Sequence, residues 1–124
     1  MKFNVNQKDL QRSLNYCQGI IERRSTLPIL SNIMINASNS KLTLTATDLD
    51  IIFINQIENI EILEEGKTTT SSSIINDIVK KLSSGKKVNF SLSTENKLQL
   101  ESDNTKFNLN CISPNEFPVA DEIF

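Results

Sequence analysis

The chain has 124 residues, enough for one ordinary globular domain, with 38% hydrophobic and 23% charged residues and a formal net charge of −2. That balance excludes a disordered chain and suits one core with a solvated surface. There is no histidine and no Trp, and glycine occurs only three times.

The first element is a short alternating strand, Lys2-Phe3-Asn4-Val5. Its polar start does not read as a secretory signal. Asn6 follows as a helix N-cap, with Asp9 in the first turn. Leu10, Leu14, Cys17 and Ile21 then recur at helical spacing, which predicts an amphipathic helix with Lys8 and Arg12 off its apolar stripe.

After Pro28 the period changes to two, predicting a strand over 29–35, a turn at Asn39-Ser40, and a strand in which Leu42, Leu44 and Ala46 alternate with threonines. A third strand is expected over 51–57. Its dense patch at 51–54 reads as buried, and no apolar run approaches the roughly 18 residues of a membrane span.

The same order then repeats. Residues 67–72 are extended and Thr/Ser-rich. Ser73 is the expected cap of a second helix carrying Ile75, Ile78, Val79 and Leu82, with Gly85 as its C′ residue. Val88, Phe90 and Leu92 alternate, 93–96 turn the chain, Leu98 and Leu100 follow, and a turn at 102–104 leads to Phe107, Leu109 and Cys111. Two strand-helix-strand-strand-strand units imply an α+β domain with two helices packed on antiparallel sheet. Residues 113–124, with two prolines and three acids, read as the start of a linker.

Charge follows the elements. Residues 1–24 hold five cations (Lys2, Lys8, Arg12, Arg23, Arg24) against two acids, and 73–87 hold four (Lys80, Lys81, Lys86, Lys87) against one. Residues 46–66 hold six acids and no cation. If the helices lie side by side, their exposed faces make a basic surface that suits phosphate. On charge alone, solvated lysines account for these segments more simply. A pI of about 5.1 is also far from that of a tight DNA-binding module.

Catalytic readings fare worse. Without histidine no Ser-His or Cys-His pair exists, and three scattered glycines form no phosphate-binding loop. No zinc set is present, and Asp48-Leu49-Asp50 reads as an acidic solvent-facing segment rather than a cation site. Cys17 and Cys111 sit on apolar stripes and are expected to be reduced and buried. The residues leave two readings open: a phosphate-facing domain, and a protein-interaction or structural domain without nucleic acid.

Several segments together resemble a known family. Arg24-x-Thr26-Leu27-Pro28-Ile29-Leu30-x-Asn32 is similar to the start of the bacterial beta sliding clamp, the DNA polymerase III beta subunit. Met1-Lys2-Phe3, the run from Leu42 to Leu49, Gly66 with its following threonines, and Phe117-Pro118 agree in order and spacing. The resemblance covers the whole chain and corresponds to the first of three domains, with 113–124 leading to the next.

It implies the DNA-clamp fold: two β-α-β-β-β units per domain, helices lining the hole of a ring, sheets outside. The implied function is replication processivity. A non-catalytic ring encircles duplex DNA by sequence-independent backbone contacts and tethers a polymerase that supplies the catalysis. The expected setting is the bacterial cytoplasm, with no cofactor or metal.

By the resemblance, Arg24 contacts the DNA backbone and Arg23 is an extra cation beside it. Arg12 and Lys80 lie on the inward helix faces. The family's second basic contact falls at Ser73, whose hydroxyl can donate to phosphate or cap its own helix. Phe107 and Leu109 match apolar residues of the head-to-tail dimer interface, and Lys97 and Lys106 match its basic residues. Polymerase and clamp loader bind later domains.

Overall fold

The computed structural model describes residues 1–21, 32–47, 51–93 and 96–112. The sequence expectations at Arg23, Arg24, Asp48-Leu49-Asp50, 29–31 and 113–124 lie outside these residues.

The first unit is β1 (Lys2–Asn6), α1 (Gln7–Ile21), β2 (Asn32–Ser38), β3 (Lys41–Thr47), β4 (Ile52–Ile57) and β5 (Ile60–Glu64). The second is β6 (Gly66–Ser71), α2 (Ser72–Lys81), β7 (Lys87–Leu92), β8 (Lys97–Ser102) and β9 (Thr105–Ile112). All pairings are antiparallel, in the order β4-β3-β2-β6-β9-β8-β7-β1-β5.

The pairings reveal the internal repeat. β9 pairs with β8 along Thr105–Asn110 and with β6 through Cys111 and Ile112. In the same way β4 pairs with β3, and β5, two residues further on, pairs with β1. So β4 and β5 are one third strand broken at Glu58-Asn59, where the sequence suggested a single strand over 51–57. Because they occupy opposite ends of the strand order, the sheet must curl until its ends meet.

Local chemistry sets the corners. Asn39 and Ser40 both have positive φ (53° and 63°), the two-residue hairpin geometry whose twist matches the flanking strands. Asp103 (φ 56°) opens the turn between β8 and β9. The Thr-rich β6 lies between β2 and β9 with Thr68, Thr69 and Thr70 buried. Thr69 Oγ1 donates to the Ile112 carbonyl (2.7 Å) and accepts from Asn32 Nδ2 (3.3 Å), and Thr70 Oγ1 donates to the Asn110 carbonyl (3.1 Å). Hydroxyls thus reinforce the junction where the ladder pairs only two residues.

One core joins both units. Leu10, Leu14 and Cys17 of α1 and Ile75, Ile78 and Val79 of α2 meet the inward residues of the strands, including Phe3, Ile33, Leu44, Phe90 and Leu100. Phe3 and Phe90, opposite each other on β1 and β7, stack at 4.7 Å. Each large aliphatic side chain fully buried here stabilises the fold by about 1.5–3 kcal/mol. The Met1 α-amino group meets Glu64 Oε1 at 2.8 Å, tying β1 to β5 and holding the Glu64 carboxyl below its usual range.

Three further details differ from the sequence expectations. The segment 51–54 is half-buried to exposed, because among the described residues β4 has a strand neighbour on one side only. The second helix ends at Lys81 with extended Leu82, and Gly85 (φ 85°) serves the following turn, where Lys86 N–H bonds the Ser83 carbonyl. Cys17 is buried as expected, but Cys111 is only half-buried at the β6–β9 junction; both are free thiols.

Burial pushes the Cys17 thiol up to about 12, so almost no thiolate is available near neutral pH. A maleimide added to the native protein is expected to modify Cys111 well before Cys17, as peptide mapping after timed labelling will show. The glycines differ similarly. A Cβ on Gly66 would lie 2.8 Å from Met1 Cβ, whereas a Cβ on the helical Gly19 would meet nothing within 4 Å. Gly19→Ala is expected to raise stability by up to about 1 kcal/mol, and Gly66→Ala to lower it, in urea unfolding.

Candidate nucleic-acid interface

The helices lie side by side and antiparallel. At one end Gln7 Nε2 donates to the Val79 carbonyl (2.7 Å), and at the other Ser72 Oγ donates to Gln18 Oε1 (2.8 Å). The start of α1 therefore faces the end of α2. Their apolar stripes turn inward, leaving Lys8, Arg12, Asn15, Tyr16 and Gly19 of α1 and Ser73, Ile74, Asp77, Lys80 and Lys81 of α2 exposed.

This packing gathers charge that the sequence keeps about 70 residues apart. The backbone N–H of Gln7 bonds the Lys86 carbonyl at 2.9 Å, and Asn6 pairs with Lys87 across β1 and β7. Lys8, Lys80, Lys81, Lys86 and Lys87, all exposed, thus collect at one end of the helix pair. Lys80 and Lys81 also occupy the last turn of α2, where the helix dipole favours cations. Lys86 and Lys87 counted only toward segment charge in the sequence; the signal joining them to Lys8, Lys80 and Lys81 as a cluster is the antiparallel contact.

The expected site residues separate clearly. Lys80 is exposed in the basic cluster. The side chain of Arg12 is 61% exposed but shared with Asp9 at 3.7 Å, an exposed pair of small energetic worth. Arg12 also borders a recess of about 370 Å³ between α1 and β4, which Glu58 lines too. The acidic segment therefore reaches the flank of the basic helix. Glu58 itself meets Lys41 at 3.8 Å.

Ser73 is exposed, but it is not the helix cap. Ser71 fills that role, its Oγ accepting from the Ile74 N–H at 3.4 Å, while Ser72 is buried against Gln18. Three consecutive serines offer identical capping chemistry. The inward turn of Ile75, Ile78 and Val79 fixes which one precedes the helix. Asn6 does cap the first helix, its Oδ1 accepting from Lys8 N–H at 2.9 Å.

On β9, Leu109 is 8% exposed and Phe107 half-buried, both packed against the chain's own core. Lys106 and Lys97 point outward, at 3.9 Å from Glu101 and 3.0 Å from Asn110 Oδ1. Between Thr105 and Asn110, β9 has β8 on one edge and no strand on the other among the described residues. That open edge adjoins a recess of about 460 Å³ lined by Ile74, Leu109, Cys111 and Ile112 among others; Ile74 is 50% exposed. Among the described residues no cluster of His, Cys, Asp and Glu could hold a metal, and no helix is long and apolar enough to cross a membrane.

Two β-α-β-β-β units with paired helices on one curled antiparallel sheet define a domain of the DNA-clamp class. Residues 1–121 match the family described as DNA polymerase III beta subunit, N-terminal domain, and the chain belongs to that family. The beta sliding clamp of Caulobacter vibrioides (strain NA1000 / CB15N) is 34% identical over 121 residues, covering 96% of this chain and 32% of that protein. That of Escherichia coli (strain K12) is 30% identical over 122 residues, covering 98% and 33%.

A crystal structure of the Caulobacter crescentus beta sliding clamp superposes with a TM-score of 0.90 at 34% identity, over 96% of this chain and 32% of that one. The DNA polymerase III subunit beta from Pseudomonas aeruginosa gives 0.86 at 27% identity, over 95% and 31%. The chain spans about a third of the length of the curated relatives it matches.

The capping assignment can be checked directly. Ser71→Ala is expected to cost about 1 kcal/mol, whereas Ser73→Ala should be neutral within about 0.5 kcal/mol, both read from chemical denaturation.

Proposed function

We propose that this chain is the first domain of a bacterial replicative sliding clamp, a subunit of a ring that encircles duplex DNA and tethers the replicative polymerase. The domain occupies residues 1–124, and 113–124 begin the linker to the next. The ring is a head-to-tail dimer working in the cytoplasm. It is not itself catalytic, and the polymerase and clamp loader engage later domains.

The observation that carries the reading is the helix layer. A chain of net charge −2 gathers the exposed Lys8, Arg12, Lys80, Lys81, Lys86 and Lys87 onto the exposed side and one end of two adjacent helices. Such a surface attracts a polyanion through exposed, sequence-independent charge. A closed ring needs no more, because topology rather than affinity keeps it on the duplex. That reconciles basic helices with an acidic total charge. Arg24 is the principal backbone contact, with Arg23 beside it; Arg12, Lys80 and the exposed Ser73 add weaker ones. The open edge of β9 accepts a strand of the partner subunit, with Phe107 and Leu109 as the apolar centre and Lys97 and Lys106 at the polar rim.

The test is duplex affinity against salt concentration for the full-length protein. Arg24→Ala is expected to reduce the slope of log K by about one unit for every sequence, since each neutralised phosphate releases about one counterion. Lys80→Ala and Arg12→Ala should act in the same direction but less, and Glu61→Ala should leave affinity unchanged. If Arg24→Ala, Lys80→Ala and Arg12→Ala all match the parent at every salt concentration, the helix layer does not face DNA.

A further inference from the structure

Tyr16 is the only tyrosine in the chain, which also lacks Trp. It is 52% exposed on the flank of α1, one turn beyond Arg12. Its ring meets Phe53 edge-on at 6.1 Å, so the phenol projects from a braced base. The hydroxyl has no hydrogen-bond partner among the described residues. It opens onto the recess shared with Arg12 and the uncharged amides of Asn55, Gln56 and Asn59. The Asn55 Oδ1 already accepts from Ser13 Oγ at 2.5 Å, which holds that wall in place. The two acids of the recess, Asp9 and Glu58, are each within 4 Å of a cation, Arg12 and Lys41.

We propose that Tyr16 is a neutral backbone contact of the clamp, its hydroxyl donating to a phosphate oxygen of the strand that passes Arg12. The inference rests on the DNA-encircling reading above and adds a residue of different chemistry to it. Tyrosine is a competent phosphate donor. The spacing of one helical turn, about 5.4 Å, lets Arg12 and Tyr16 address neighbouring positions on one strand. A neutral donor displaces no counterion, so its contribution persists at salt concentrations that screen the lysines.

That difference gives the contact a signature. In the full-length protein, Tyr16→Phe keeps the ring against Phe53 and removes only the hydroxyl. Duplex affinity is expected to fall about fivefold, the effect of one ordinary hydrogen bond, at every salt concentration and with the slope of log K against log salt unchanged. Arg12→Ala, measured alongside, should lower the slope. If Tyr16→Phe binds like the parent while Arg12→Ala and Arg24→Ala weaken binding, the clamp surface stands and the tyrosine contact is refuted. A Tyr16→Phe effect that changes the slope, or appears only together with a drop in melting temperature, also overturns it, since either marks an indirect role. If all three variants match the parent, the DNA-facing reading itself fails.

Discussion

Gln7 reaches across from the first residue of α1 to the carbonyl of Val79 near the end of α2, and Ser72 reaches back to Gln18 at the other end. These two hydrogen bonds, flanking an apolar seam that includes Leu14 and Ile75, hold the helices antiparallel and in register. Both join polar groups that would be costly to bury unpaired. Rotating either helix would break them and expose the seam. Every functional feature of the helix layer follows from this contact, because it decides which lysines become neighbours and which face outward.

The strand layer obeys a second constraint, the internal repeat. Each unit ends in a strand that serves two partners: β9 with β8 and then β6, β4–β5 with β3 and then β1. The curled sheet is the result, and so, among the described residues, are stretches with a strand on one side only: β4, β5 and the first part of β9. The open stretches differ in surroundings. Beside β4 the recess is polar and holds Arg12 and Tyr16, while beside β9 it offers Ile74, Leu109 and Ile112. One backbone plan, repeated, therefore presents two chemically distinct edges, which disfavours indiscriminate pairing of like with like.

Charge is distributed to match. Four acids, Glu58, Glu61, Glu64 and Glu65, lie at β5 and its flanking turns, where Glu61 accepts from Asn4 Nδ2, Glu64 meets the Met1 amine and Glu65 accepts from the Asn39 N–H. The lysines near the helix ends keep their ammonium groups in solvent, with a Debye length of about 8 Å at physiological salt limiting their mutual repulsion. A surface built this way favours weak and reversible attraction of a polyanion, as the proposed function requires.

The two-unit order, the apolar faces and the amphipathic helices were legible before any fold was known, because they depend on local periodicity: Leu10, Leu14 and Cys17 on one helix, Ile75, Ile78 and Val79 on the other. Short motifs around Arg24 and Leu42 also pointed to the family, whose match covers residues 1–121. Tertiary structure alone decided what depends on contacts between distant segments. The choice of Ser71 over Ser73 as cap was set by how α2 packs, and the break between β4 and β5 by two competing strand partners. The half-burial of Cys111 reflects a junction only two residues long. Lys8 joined Lys86 and Lys87, and Tyr16 came to stand beside Arg12 and Phe53, because helices and strands far apart in sequence met in space. Periodicity can say which face of an element is apolar; only the packed chain can say what lies opposite it.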